Sequence, residues 1–444
     1  MATFLTLILL ASMSQAAYQP EWDSIDARPN PQWFEDAKFG VFIVWGPYSV
    51  PAWGPKERYA EWYWHDMLNK DSETWLFHEN AYGDKTTYQD FAYQFKAEMF
   101  DPDSWADIVA RSGAKYVVFT AKFHDGFSLW PDEHNWNWNV MDVGPRRDLV
   151  RAVTDAMRSR DIRIGYYYSL YEWFNPLYQH DVDRYVDQYM LPQMKSLVER
   201  YKPDIFWPDG EWDHSSDTWR SAEFLAWLFN ESSAPDDIAV NDRWGRETRS
   251  RHGGFATPEY QHRRPGRLMD AARFEECQGM GKSFGLNRNE TAEDYRSTSA
   301  LLRLLIDTVS RGGNLLLDIG PTGDGRIPEI MVERLLEMGA WLEVNGDAIY
   351  GTTRWDAAPE VDAVYFTQKG DVVHAICVEW PGATLTLPNT TGATEAAATL
   401  LGHHAALETT TADDAITIHI PCIPFDQMPC RHAWTFRLEG LEAS

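Results

Sequence analysis

From about residue 38 to 350 the chain alternates two patterns of apolar and polar positions. Short runs without polar interruption, such as Tyr116-Val117-Val118-Phe119, read as strands covered on both faces. Runs of this kind or close to it lie at 39–45, 116–121, 163–168, 204–207, 238–241, 255–257, 273–277 and 314–319. Between them apolar residues recur three and four apart. Over 103–109 a capping residue precedes Trp105, Ile108 and Val109, and Gly113 supplies the stop. Leu149, Val150, Val153, Ala156 and Met157 draw a second such stripe. Further helices are expected over 182–201, 217–229, 296–310 and 330–344. Strands and helices alternating in this number predict an α/β chain with a closed parallel (β/α)8-like TIM barrel over 18–350. No Gly-x-Gly-x-x-Gly follows the first strand, which removes the usual dinucleotide fingerprint.

After Gly351 the pattern shortens. Strand-like runs at 361–366 and 372–379 flank the hairpin break Lys369-Gly370-Asp371, and others follow at 383–387, 415–420 and 433–438. This spacing predicts a C-terminal antiparallel β-sandwich over 351–444. At the other end, an apolar run from Phe4 to Ala11 precedes Ser14-Gln15-Ala16, a small-x-small cleavage pattern. Residues 1–17 are therefore expected to be a signal peptide, placing the protein outside the cell, in the periplasm or in the lysosome. The run is too short to span a bilayer, and no other stretch is apolar and long enough.

Charge narrows the choice of partner. The 67 acidic residues outnumber the 40 basic ones, and a net charge of -27 repels nucleic-acid phosphates and anionic lipid. The 21 Trp, 20 Tyr and 21 Phe supply flat rings that suit the C–H faces of sugars, although large barrels also bury many aromatics. Cys277, Cys377, Cys422 and Cys430 lack the paired spacing of a zinc site. Cys422 and Cys430 are close enough in sequence to pair in an oxidising compartment. Asn230, Asn289 and Asn389 each open a glycosylation sequon, which matters only in a eukaryotic source.

A barrel gathers its chemistry at the C-terminal ends of its strands. Lys122, His124 and Asp125 follow the second run; Asp209 and Glu211 follow the fourth; Asp242, Arg243 and then Glu259 follow the next two. Carboxylates from separate strands, with an arginine between them, are the equipment of glycoside hydrolysis. The same set would also suit a divalent metal.

Motifs separate these possibilities. The chain carries Ala37-Lys38-Phe39-Gly40-Val41-Phe42-Ile43, Tyr48-Ser49-Val50-Pro51-Ala52-Trp53 and Glu61-Trp62-Tyr63-Trp64. It continues with Gly113-Ala114-Lys115-Tyr116-Val117-Val118, Trp136-Asn137-Trp138-Asn139 and Asp142-Val143-Gly144-Pro145. Asp204-Ile205-Phe206-Trp207-Pro208-Asp209-Gly210-Glu211-Trp212, Asn241-Asp242-Arg243-Trp244-Gly245 and Gly312-Gly313-Asn314-Leu315-Leu316-Leu317 complete the set. In these stretches, from about Trp33 to the C-terminus, the chain resembles the α-L-fucosidase family of retaining glycoside hydrolases, glycoside hydrolase family 29.

The resemblance implies a retaining exo-glycosidase that releases terminal α-L-fucosyl residues through a covalent glycosyl-Asp intermediate. Asp209 matches the family's nucleophile and Glu259 best matches its general acid/base, with Glu275 and Glu276 in reserve. Sugar-binding positions are expected at Val44, Trp45, Glu61, Trp62, Phe123, His124, Tyr168, Trp207, Arg243 and Phe284. No metal or organic cofactor is implied, and the partner is a carbohydrate.

Two positions depart from the family pattern. Val44 stands where His usually precedes Trp-Gly, and Phe123 replaces the first His of a Lys-His-His-Asp/Glu-Gly-Phe run. Imidazoles that would bond sugar hydroxyls are thereby lost, which opens the alternative of another α-L-glycoside, such as an α-L-glucoside or α-L-galactoside. Transglycosylation and a catalytically silent carbohydrate-binding protein are the remaining alternatives. Retention of Asp209 and Glu259 argues against the last.

Overall fold

The computed structural model describes residues 17–260, 273–390, 396–403, 405–412 and 414–441. All but the last residue of the expected signal segment lies outside this set. Seven parallel strands form the first sheet: β1 Phe39–Ile43, β2 Tyr116–Lys122, β3 Arg163–Ser169, β4 Ile205–Asp209, β5 Ala239–Val240, β6 Glu275–Gly279 and β7 Asn314–Ile319. Every residue of six of them is buried, as the unbroken apolar runs require of strands covered on both faces. Their order is β5-β4-β3-β2-β1-β7-β6.

The sheet is a curled TIM-like barrel whose eighth position is not a regular strand. The run expected at 255–257 makes only isolated bridges, Asn241 with Phe255, Ala256 with Phe274 and Glu259 with Cys277. It still ties β5 to β6, because Phe255 N–H donates to Val240 O at 3.2 Å and Cys277 N–H donates to Pro258 O at 2.9 Å. Pro258 has no N–H for a ladder, so a continuous strand cannot pass through it. Gly254 lets the segment dock, since a Cβ there would sit 1.9 Å from Val240 O.

Alternation sorts the strand residues into two layers. Phe42, Val44, Tyr116, Val118, Tyr167, Ile205, Trp207, Cys277 and Leu316 fill the barrel interior. Val41, Ile43, Trp45, Val117, Phe119, Tyr166, Tyr168 and Phe206 face the surrounding helices. Each fully buried Val, Ile, Leu or Phe side chain contributes roughly 1.5–3 kcal/mol.

The helices differ in detail from the expected ones. The first is Pro102–Arg111, capped by Asp101, whose carboxylate accepts from Asp103 N–H and Ser104 N–H. The expected 182–201 helix contains a π-turn at Val186–Met190, just before Pro192, which has no N–H for the regular ladder. The 217–229 helix divides at Arg220, whose φ of 53° interrupts the α conformation between Ser216–Trp219 and Ser221–Asn230. Thr298–Ser310 and Glu329–Asn345 lie close to their expected bounds.

The C-terminal region is an eight-stranded antiparallel sheet in the order β11-β14-β13-β12-β15-β10-β9-β8. Its strands are β8 Thr353–Arg354, β9 Val364–Lys369, β10 Val372–Cys377, β11 Thr384–Leu387, β12 Ala397–Leu400, β13 Ala406–Ala412, β14 Ala415–His419 and β15 Trp434–Glu439. Leu385, Leu387, Ile416 and Ile418 of one half share a core with Val373, Ala375, Phe436 and Leu438 of the other, which gives the sandwich its interior. Strands β12 and β13 escape the sequence pattern because Ala and Thr give almost no apolar contrast.

Trp341 of the last barrel helix donates through Nε1 to Ala433 O at 2.9 Å, joining barrel and sandwich. The pairing that the sequence leaves open for Cys422 and Cys430 does not occur. Both are free thiols, and Cys430 Sγ instead contacts Ala433 O at 3.1 Å while Cys422 is exposed.

Candidate active site

One cavity of about 480 Å³, counting its open mouth, lies at the C-terminal ends of the strands. Its interior wall belongs to the barrel core: Phe42, Val44, Trp207 and Cys277. Tyr59, Glu61, Trp62, Phe123, His124, Tyr167, Trp212 and Phe284 surround it, and Asp209, Arg243 and Glu259 complete the lining.

Arg243 organises the carboxylates. Its Nη1 donates to Asp209 Oδ1 at 2.6 Å and its Nη2 to Glu259 Oε1 at 2.5 Å. The guanidinium is itself fixed, since Nε donates to Thr257 Oγ1 at 2.8 Å and Thr257 Oγ1 donates to Asp242 Oδ1 at 2.6 Å. It also lies 4.4 Å from the Trp207 ring centroid, a cation–π contact inside a water-poor wall. Asp242 therefore acts on the site through Thr257 rather than by entering the cavity.

Asp209 is a defined anion. Tyr167 Oη donates to its Oδ2 at 2.8 Å, and Arg249 Nη2 stands 3.7 Å from Oδ1. Burial alone would raise this carboxyl, but nearby positive charge, Arg243 foremost, outweighs burial and holds it at about 2. Arg249 is held in turn by Glu211, whose Oε1 accepts from Nε at 2.5 Å.

His124 is the opposite case, a neutral imidazole. Burial pushes it down to about 4. Ser169 Oγ donates to Tyr171 O at 2.5 Å, so the 2.6 Å contact between Ser169 Oγ and His124 Nδ1 requires Nδ1–H as the donor. Nε2 is then the acceptor, and it looks toward Asp209 Oδ2 at 3.7 Å. An incoming hydroxyl could donate to it. The loop that carries His124 is anchored by Trp173 N–H, which donates to His124 O at 3.0 Å, and by the buried pair of Lys122 with Glu172.

Glu61 is buried at the opposite wall, where its Oε2 accepts from Ser283 Oγ and Gly285 N–H at 3.1 Å each. Burial raises its carboxyl to about 7, so it can be donor or acceptor to a hydroxyl near neutral pH. Trp62 stands over His124 with ring centroids 5.4 Å apart and lies 6.2 Å from Trp212.

Two sequence-based positions do not enter the cavity. Trp45 points outward, donates through Nε1 to Thr322 O at 2.8 Å and packs on Trp105 with centroids 5.0 Å apart. Tyr168 also points outward, and its hydroxyl donates to Gln193 Oε1 at 2.6 Å. Its neighbour Tyr167 lines the cavity instead. The register shows why: Tyr167 pairs with Trp207 and Ser169 with Asp209, so odd positions on β3 share the inward face of β4.

The reserve acids are likewise set apart. Glu275 lies deeper in the barrel, accepting from Tyr116 Oη at 2.5 Å and Trp207 Nε1 at 2.8 Å. Glu276, on the other face of β6, accepts from Gln278 Nε2 at 2.9 Å. Among the described residues no group of three His, Cys, Asp or Glu side chains could hold a metal ion. The carboxylates converge on a guanidinium rather than on a vacant coordination site.

Asp318 on β7 is a further buried acid near this wall. It is fully buried and has no side-chain hydrogen-bond partner among the described residues, and the backbone N–H groups of Val44 and Ile319 offset its burial only in part. Burial, and secondarily Glu61, raise its carboxyl well above the usual range. The unfolded chain releases this proton near pH 4 and the folded chain does not, so stability falls as pH rises above about 4 until the folded group also ionises. Asp318→Asn is therefore expected to stabilise the protein by an amount that grows with pH, up to about 1.4 kcal/mol per unit within that window. Urea unfolding at pH 5, 6 and 7 measures the gain, and a gain independent of pH would contradict this assignment.

The arrangement has counterparts among known proteins. An α-L-fucosidase family model matches residues 6–347 and an α-L-fucosidase C-terminal-domain model matches 360–439. This chain belongs to the α-L-fucosidase family of glycoside hydrolases. It is 41% identical to an α-L-fucosidase of Branchiostoma floridae over 99% of this chain and 100% of that one. It is 42% identical to the human tissue α-L-fucosidase over 96% of this chain and 92% of the relative. A solved structure of the Thermotoga maritima α-fucosidase in complex with fucose superposes with a TM-score of 0.82 at 33% identity, covering 95% of this chain and all of the other. As a family member, the protein is a glycoside hydrolase with the barrel-plus-sandwich fold.

Proposed function

We propose that the protein is a secreted retaining exo-α-L-fucosidase in which Asp209 is the nucleophile and Glu259 the general acid/base. The observation that carries this reading is the single guanidinium of Arg243 joined to both carboxylates beside an aromatic-walled cavity. One guanidinium spans the pair, which fits the close carboxyl spacing of a retaining enzyme better than a gap built around an attacking water.

In the first step the Asp209 carboxylate attacks the anomeric carbon as the glycosidic C–O bond breaks, and Glu259 gives its proton to the departing oxygen. In the second, water attacks the same carbon, Glu259 takes its proton and the Asp209 carboxylate leaves. Two inversions give net retention. His124 Nε2 and Glu61 are placed to bond sugar hydroxyls, and Trp62 offers an aromatic face. The barrel core closes the inner end of the cavity, so a terminal residue enters and a glycan chain does not pass through.

A second reading, the same mechanism on another α-L-glycoside, is favoured by one observation: Val44 and Phe123 both line the cavity and offer a sugar no hydrogen bond. Hydrolysis of aryl α-L-fucoside, galactoside, glucoside and rhamnoside decides between the two. Fucoside is expected to turn over fastest, and a clear preference for another L-sugar overturns the fucosyl reading. The double variant Val44→His/Phe123→His sharpens the result. A rise in fucoside turnover relative to the other glycosides is the signature of a pocket re-cut by these two residues.

A further inference from the structure

We propose that the buried pair of Lys122 and Glu172 is a positioning clamp for sugar recognition, locking the loops after β2 and β3 together behind the cavity wall and so fixing His124 toward the substrate. This rests on the α-L-fucosidase reading and names residues that touch no substrate. Neither residue lines the catalytic cavity. Lys122 ends β2, two residues before His124, and is fully buried, while the Glu172 side chain is 5% exposed.

The pair sits in a closed polar cage. Lys122 Nζ pairs with Glu172 Oε1 and lies 4.3, 5.5 and 5.9 Å from the ring centroids of Tyr168, Tyr189 and Tyr185. Glu172 Oε2 accepts from Asn175 Nδ2 at 2.9 Å, and Tyr185 Oη stands 3.2 Å from Oε1. The other nearby carboxylates have donors of their own. Asp125 accepts from Tyr88 Oη at 2.7 Å and Phe127 N–H at 2.9 Å, and Asp132 from Ser128 Oγ at 2.8 Å and Gln193 Nε2 at 2.6 Å. Glu172 is therefore the ion-pair partner of Lys122. A buried ion pair gives little net stability over an apolar pair of the same volume, so its presence here points to geometry rather than to stability.

The hydrogen bonds lead from the clamp to the imidazole. Residues on both sides of Glu172 hold His124: Ser169 Oγ accepts from Nδ1–H at 2.6 Å, and Trp173 N–H donates to His124 O at 3.0 Å. The Trp173 ring packs 5.6 Å from the imidazole. Gly126, at φ 75°, lets the first loop close on Glu172, because a Cβ there would meet Oε2 at 2.7 Å. Without the pair both grips on His124 loosen, and Nε2 loses its fixed aim at a sugar hydroxyl.

The test uses an apolar pair, Lys122→Met/Glu172→Leu, which removes both charges without leaving one buried alone. Its kcat/KM on an aryl α-L-fucoside is expected to fall about tenfold, the factor one good polar contact is worth, while its urea midpoint stays above those of Lys122→Met and Glu172→Leu alone. A double-mutant cycle with His124→Ala decides whether the loss passes through the imidazole. Added to His124→Ala, the apolar pair is expected to cost less than about twofold more, because the residue it positions is already gone. Glu172→Gln, a milder change that spares folding, enters the same cycle, and its own deficit is expected to vanish there. Wild-type kcat/KM in the apolar pair, or a further loss of about tenfold on the His124→Ala background by either route, overturns the clamp. Wild-type protein inert toward the fucoside overturns the fucosidase reading itself.

Discussion

Replacing Asp209 by alanine is expected to lower kcat on an aryl α-L-fucoside by on the order of 10⁴-fold while leaving the protein folded. The loss is large because the carboxylate forms and breaks the covalent bond, and no neighbour can take over. Glu259 is the proton carrier, Glu275 is bonded to Tyr116 and Trp207 deeper in the barrel, and Glu211 is occupied by Arg249. Folding survives because Arg243 keeps Glu259 and Thr257 as partners, and Tyr167 loses only one hydrogen bond. Azide should restore turnover, since the truncated side chain opens space on the face from which Asp209 attacks. It would attack the anomeric carbon directly, expel the aglycone and give the β-L-fucosyl azide, a single inversion. Product anomers read by NMR check this. Near wild-type turnover in the alanine variant would contradict the assignment of Asp209.

The second large effect belongs to Arg243. Arg243→Met is expected to destabilise the fold by about 3–5 kcal/mol, because Asp209, nine-tenths buried, loses its closest cation. It is also expected to lower kcat/KM on the order of 10²–10³-fold through lost positioning and charge stabilisation. The pH profile carries the more specific signature. Burial raises the Asp209 carboxyl, and Arg243 is the largest influence that holds it at about 2. Without the guanidinium the carboxyl rises, Asp209 protonates at a higher pH and the acid limb of kcat/KM moves upward. Arg243→Lys keeps the charge but not the fork that reaches both carboxylates, so its shift should be smaller. Urea unfolding and a pH series on the residual activity measure the two effects. An acid limb that does not move in Arg243→Met would show that Arg243 does not set the nucleophile's charge.

Much of this architecture is legible in the sequence because buried parallel strands are written as unbroken apolar runs. Tyr116-Val117-Val118-Phe119 and Asn314-Leu315-Leu316-Leu317 fall within strands. The segment 255–257 has the composition of a strand but is held by isolated bridges, since Pro258 ends the ladder and Gly254 brings the backbone against Val240. In a run apolar on both faces, composition does not say which residues turn inward. That is why Trp45 and Tyr168 are expected in the cavity but stay outside it, while Tyr167, not among the expected positions, joins the expected Val44 there. The parity was available for β3: once Asp209 is taken as inward, the register with β4 turns Tyr167 in and Tyr168 out.

Other features depend on distances the chain does not print. Arg249 lies forty residues beyond Asp209 in sequence and reaches it only through the folded loop that also meets Glu211. The contrast between Glu259 at the cavity and Glu275 in the interior likewise depends on where the closing segment sits. Asp318 is read in sequence as the end of an apolar strand. Only the fold reveals it as a buried acid with no side-chain hydrogen-bond partner among the described residues.

The most direct test of the central claim is to trap the covalent intermediate. A 2-deoxy-2-fluoro-α-L-fucosyl fluoride should form the glycosyl-enzyme quickly and hydrolyse it slowly, because the 2-fluoro group destabilises both oxocarbenium-like transition states while the fluoride leaves readily. Intact mass followed by peptide mapping then reads the site of attachment. One fluorofucosyl group per chain, on Asp209, is the predicted result. A label on another carboxylate, or turnover of the parent fucoside with no label formed under any condition, would contradict a retaining mechanism carried by Asp209.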